Sequence, residues 1–173
     1  NSDLAKTPPP LTSLQIEQAH KFSTGAGVIV AVIDTGVRPQ PRLPGMIAGG
    51  DYVDPGTGAN GFEDCEGHGT IVAGIIGAAP APTDGLIGVA PNAQILAIRQ
   101  TSLAYMPENI SANPDDPNSS RTAGDSRTLA RAIVHAANMG ARVINVSVVS
   151  CVKVSTPIDQ AILGGALKYA VEV

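Results

Sequence analysis

Residues Val28-Ile29-Val30-Ala31-Val32-Ile33 form an unbroken apolar run rich in β-branched side chains, bounded by Gly27 and by Asp34-Thr35-Gly36. A strand that is apolar on both faces must be covered on both faces, which places it inside a parallel sheet flanked by helices. Two further runs repeat the pattern: Gln94-Ile95-Leu96-Ala97-Ile98-Arg99, and Val143-Ile144-Asn145-Val146-Ser147-Val148-Val149. Helical patterns alternate with them. Residues 70–79 are small and apolar, with Gly74 and Gly77 permitting close approach of a neighbour, and they predict a buried helix. A second helix starts near Asp125 or Ser126, with Leu129, Ile133, Ala136 and Ala137 on one face and Arg127, Arg131 and His135 on another. Asn138-Met139-Gly140 stops it, and residues 161–170 predict a last helix. This alternation implies an α/β fold, a three-layer sandwich with a mostly parallel sheet and helices on both faces. Ligands on such sheets bind beyond the carboxyl ends of the strands, which is where Asp34 lies.

The remaining segments divide the chain into residues 1–24, an extension with a first helix, and 25–173, the main body. Lys6-Thr7-Pro8-Pro9-Pro10 reads as an extended lead. Thr12 is the expected N-cap of the first helix, with Gln15 three positions on. Residues 38–50 hold three prolines and read as loop, 50–53 as a short strand, and 55–67 as an acidic, Gly-rich surface loop. Residues 106–125 are rich in Pro, Asn, Asp and Ser and predict a long surface insertion, spanning about 104–125. Val171-Glu172-Val173 reads as a stop in mid-fold that leaves the sheet an uncovered edge.

Composition excludes several classes. The formal net charge is −4, with no basic stripe to meet nucleic acid. No apolar run reaches the roughly 18–20 residues that span a bilayer. Residues 1–10 have neither the basic start nor the apolar stretch of a signal peptide. No Gly-x-Gly-x-x-Gly follows Ile33, which argues against a nucleotide-binding sheet. Cys65 and Cys151 fit no metal spacing. They are disulfide candidates, with each other or with cysteines outside this chain, and the remaining alternative is that they stay free.

Two residues carry candidate chemistry. Asp34, at a strand end in a Gly-assisted turn, is placed to orient a partner His, although an isolated Asp there more often caps a turn. His68, in Gly67-His68-Gly69-Thr70, opens a helix whose dipole disfavours imidazolium, while a nearby carboxylate would favour it. An isolated His of that kind more often bonds its own loop.

The combination is more specific. Val32-Ile33-Asp34-Thr35-Gly36-Val37 and Gly67-His68-Gly69-Thr70-Ile71-Val72-Ala73-Gly74 resemble the catalytic Asp and His signatures of the subtilisin-like serine proteases. Gly88-Val89-Ala90-Pro91 before a strand and Val143-Ile144-Asn145-Val146-Ser147 match two further family motifs, in the family's order. Residues 39–53, Asp64-Cys65-Glu66-Gly67-His68-Gly69-Thr70 and residues 131–141 resemble the mycosins, membrane-anchored members of that family in type VII secretion systems.

The resemblance implies an endopeptidase with an Asp-His-Ser triad in that chain order. Asp34 would hold the tautomer of His68, and His68 would act as the base. The family's Gly-Thr-Ser nucleophile segment is absent from this chain. Thr101-Ser102 lacks the Gly and directly follows a strand, and Asn145 is in the wrong motif to be the oxyanion-hole Asn. A fragment of this extent is therefore expected to be inactive alone. Ser147, Val148 and Val149 would form the substrate-binding strand, with Val149 where many members carry Gly. Many family members bind calcium through acids shortly after the catalytic Asp, but residues 35–50 contain no Asp or Glu, so calcium is not expected, and the resemblance implies no other cofactor. In mycosins the partner of Cys65 would lie in an N-terminal extension and that of Cys151 in the C-terminal half. Two sequons, at Asn109 and Asn145, read as chance. The implied partners are a peptide or protein substrate, the remainder of the chain and membrane components of a type VII complex, with no nucleic acid. The implied location is the cell membrane, with this domain on the extracytoplasmic side. A mainly structural role in that complex is the alternative.

Overall fold

A computed structural model describes residues 6–56, 58, 60–105, 124–147 and 161–173. Four strands, β1 (Ile29–Asp34), β2 (Met46–Asp51), β3 (Gln94–Arg99) and β4 (Val143–Val146), form one sheet in the order β2-β3-β1-β4. All three pairings are parallel. β1 and β3 are the inner strands, as their two-sided apolar character predicts. From Val30 to Ile33 and from Ile95 to Ile98 no side chain is more than 5% exposed.

Helices cover both faces. Ala31, Ile33, Leu96 and Ile98 point to one side, against Ala130, Ala132, Ile133 and Ala136 of α4 (Ser126–Asn138) and Ala166 of α5 (Ala161–Glu172). Val30, Val32, Ile95 and Ala97 point to the other, against Ala73 of α3 (His68–Gly77). The small residues on the helices let the backbones approach the sheet closely. The predicted α/β sandwich is therefore present, with the strand carboxyl ends gathered at one rim.

Several local expectations change. The first helix is split into α1 (Pro9–Ser13) and α2 (Ile16–Ala19), and Thr12 lies inside α1 rather than capping it. Pro8 is the cap and a proline opens the helix, because proline's missing N–H is unbonded there in any case. Gln15, at φ 54°, breaks the run. Residues 46–50, read as loop, belong to β2, which ends at Asp51 rather than beginning near it. All three prolines precede Met46, and pairing with β3 overrides the poor strand propensity of Gly49-Gly50. α3 begins two residues early, at His68 itself, and buries only the stripe Gly69, Ala73 and Gly77. Among the described residues nothing covers Ile71 and Ile75, which are 65% and 54% exposed. α4 starts where expected, at Ser126, with Asp125 as its N-cap in a capping box with Thr128. His135 is half-buried, and its Nδ1 lies 2.9 Å from the Tyr52 hydroxyl. Val148 and Val149, Cys151, and residues 106–123 of the expected insertion lie outside the described residues. Among the described residues no helix is long and apolar enough to cross a membrane.

Ile33 has no exposed surface. Ile33→Ala is expected to cost about 2–5 kcal/mol, because the packed sheet and helices cannot collapse into the void. Denaturant unfolding with an unchanged slope would measure it.

Candidate active site

β1 ends on Asp34, which is fully buried, and the chain turns there through Gly36 at φ 103°. β3 ends alongside it, with Arg99 in register with Asp34. The 60–67 loop then crosses this rim and delivers His68 as the first residue of α3. A Cβ on Gly36 would lie 1.8 Å from the Glu63 carbonyl oxygen, and one on Gly69 would lie 2.1 Å from that of Gly36. Only glycine at both positions lets turn and helix come this close.

The result is a direct contact between the two predicted residues. His68 Nδ1 lies 2.6 Å from Asp34 Oδ1. The same oxygen accepts the Thr35 backbone N–H at 2.7 Å. A carboxylate only accepts, so the proton of this bond sits on Nδ1, and Nε2 of the neutral ring carries a free lone pair. The His68 side chain is 52% exposed while that of Asp34 is 0% exposed. The pair therefore presents a basic nitrogen to solvent and keeps its carboxylate dry. The hydrogen bond that His68 donates to Asp34, and then the Asp34 charge, raise the His68 pKa above the usual 6.5, against a smaller opposing effect of desolvation.

Sequence reasoning did not single out the groups that hold this geometry. Asp64, 5% exposed, accepts hydrogen bonds from Thr35 Oγ1, the Gly67 N–H, and both the N–H and the hydroxyl of Thr70. Glu66 Oε1 accepts from the Ser102 hydroxyl at 2.6 Å and from the N–H groups of Leu103 and Ala104. Arg99, fully buried, reaches Asp51 Oδ2 through Nε at 2.7 Å, with Glu63 beside it and the Tyr105 ring 4.8 Å away. Burial works against its charge, but Asp51, Tyr105 and Glu63 outweigh that and raise its pKa. The only sequence signal for these partners was a cluster of acids in a loop, which ordinarily means solvated surface.

The other predicted residues are less closely tied to the pair. Ser147 follows β4, one step beyond the Ile33–Val146 pairing and so level with Asp34, and its hydroxyl accepts from Asn145 Nδ2 at 2.8 Å. Cys65 is exposed and forms no disulfide among the described residues. Local desolvation and the carboxylates of Glu63 and Glu66 push its thiol up, which makes it a poor nucleophile. Ser102 is 1% exposed and bonded to Glu66, so its hydroxyl is not presented to the His68 ring.

A pH dependence follows from the raised His68 pKa. The Asp34 contact favours imidazolium, so its contribution to stability is complete below about pH 6.5 and fades as pH rises through the higher folded value. Titration of the His68 ring by NMR should give a midpoint above 6.5 that drops in Asp34→Asn. An unchanged midpoint in that variant would contradict the assigned cause.

Residues 25–170 match the model of the subtilase family, peptidase S8. Mycosin-1 of Mycolicibacterium smegmatis is 52% identical over 173 residues, which is all of this chain and 38% of that protein. The crystal structure of MycP1 from the ESX-1 type VII secretion system superposes with a TM-score of 0.88 at 52% identity, covering 98% of this chain and 44% of that one. A chain in the periplasmic assembly of the ESX-5 inner membrane complex superposes with a TM-score of 0.84 at 42% identity, again covering 98% and 44%. This chain thus spans about two fifths of the relatives it matches, and it belongs to the subtilase family of serine proteases.

Proposed function

We propose that this chain supplies the acid–base half of a serine endopeptidase, with Asp34 and His68 as two members of an Asp-His-Ser triad. The observation that carries the reading is the 2.6 Å contact between a buried carboxylate and a half-exposed imidazole at the strand carboxyl ends. His68 Nε2 takes the proton of a serine hydroxyl as it attacks the peptide carbonyl, and then delivers that proton to the leaving amine. Asp34 stabilises the imidazolium formed in between and holds Nδ1 protonated. Water repeats the sequence to release the acyl group. The serine and the oxyanion donors come from polypeptide outside these residues. The exposed apolar side chains of α3, Ile71 and Ile75, support this, since such a helix face is normally covered in a complete domain.

The segment Ser147, Val148 and Val149 binds an extended peptide by backbone hydrogen bonds in this reading. Cys65 and Cys151 form disulfides with other parts of the complete protein. The domain works on the periplasmic side of a membrane, within a type VII secretion complex. The similar chain in the ESX-5 periplasmic assembly supports that location, and also supports a second role in which the domain stabilises the complex.

In the complete protein, His68→Ala is expected to lower kcat for peptide hydrolysis by about 10⁴-fold or more while leaving the fold intact. Retention of wild-type turnover would overturn the catalytic role. Secretion that persists in the same variant would assign the complex a structural need for the domain rather than a catalytic one. Residues 1–173 alone should not be labelled by a fluorophosphonate probe. Stoichiometric labelling would place a nucleophile inside this chain.

A further inference from the structure

We infer that Asp64 is a positioning residue for the Asp34–His68 pair, its carboxylate clamping the end of β1 to the start of α3. The inference rests on the acid–base reading of that pair and adds to it the group that keeps the pair in register.

All four of its hydrogen bonds go to residues next to the pair. Oδ1 accepts from Thr35 Oγ1 at 2.8 Å and from the Gly67 N–H at 2.8 Å. Oδ2 accepts from the Thr70 N–H at 2.9 Å and the Thr70 hydroxyl at 2.5 Å. Thr35 follows Asp34, Gly67 precedes His68, and Thr70 lies two residues beyond it. The Thr35 hydroxyl in turn accepts the Gly69 N–H at 3.0 Å, and Thr70 Oγ1 accepts the Arg38 N–H at 2.9 Å. The two reacting residues are thus joined twice, once directly and once through this closed set.

Thr35 takes the Gly69 N–H, and among the described residues Asp64 is the side chain that takes the Gly67 and Thr70 N–H groups. The N-cap of α3 is Gly67, in a left-handed conformation and with no side chain to bond the first turn. Asp64 takes its place, satisfying the N–H groups of the cap and of Thr70. Burial opposes its charge, but the bonds from Thr70, Thr35 and Gly67 outweigh that and lower its pKa, so it stays ionised. The charges acting on the His68 ring are Asp34 from β1 and Asp64 from the preceding loop.

The test compares Asp64→Asn, Thr35→Val and Asp34→Asn in the complete protein. An amide replaces one acceptor oxygen with an NH2 group, and backbone N–H groups cannot turn round to accept from it. Asp64→Asn should therefore lower kcat by about 10–100-fold with KM within about twofold, as expected for a small misplacement of a reacting group. It should also lower the midpoint of the His68 ring titration and move the acid limb of the kcat profile down with it. Thr35→Val should act in the same direction and more weakly. In an Asp34→Asn background Asp64→Asn should cost little further kcat, because both act through one pair.

Wild-type kcat and an unmoved His68 titration in Asp64→Asn would overturn the inference, as would full additivity with Asp34→Asn. If Asp64→Asn does not fold, Thr35→Val decides by the same two readouts. A wild-type complete protein that hydrolyses no peptide would instead sink the protease reading, while the His68 titration would still judge Asp64.

Discussion

A carboxylate at the end of a strand with no exposed surface sets the terms for everything around it. Asp34 is 0% exposed, and an unpaired charge in such a place costs several kcal/mol. Donors must therefore be brought to it. The Thr35 backbone N–H and His68 Nδ1 both converge on Oδ1. That requirement pulls the 60–67 loop across the rim of the sheet and fixes where α3 begins. It also explains the glycines at 36 and 69, since any side chain there would strike backbone at about 2 Å.

The same rim holds a second buried charge, Arg99, which meets Asp51, Glu63 and the Tyr105 ring. Together with the Glu66 contacts to residues 102–104, it fastens the loop before His68 and the segment after β3 to the sheet. Loops that carry chemistry need such anchoring, because precision comes from the scaffold rather than from the loop itself. Elsewhere the described residues leave apolar surface open. One patch is the outer face of α3, and another is a groove of about 610 Å³ between α4 and α5, lined by Tyr52, Val134, Ile162 and Tyr169. Both fit a chain that spans 38% of the mycosin and 44% of the MycP1 chain it resembles.

The inner strands were legible because β1 and β3 are apolar on both faces, a pattern that admits few other structures. α4 was legible from its period and its stop at Asn138-Met139-Gly140. The β2 strand was not, since its Gly49-Gly50 has little strand character and forms only because β3 offers an edge. The split of the first helix depended on a left-handed Gln15, and no local rule marks that residue. At the site, Asp34 and His68 were found through paired motifs. Asp64 and Arg99 were not, because a charged residue in a loop or at a strand end gives no sign of whether tertiary contacts will bury it.

By itself, then, the amino-acid order determined the parallel sheet and the two residues proposed to carry its chemistry. Those follow from periodicity and from motifs written along the chain. What only the tertiary structure decided is the 2.6 Å approach of His68 to Asp34 and the carboxylate clamp that supports it. Hydrogen bonds between residues some 30 positions apart depend on how loops fold back over a buried strand end, and that closure is settled by packing rather than by local sequence.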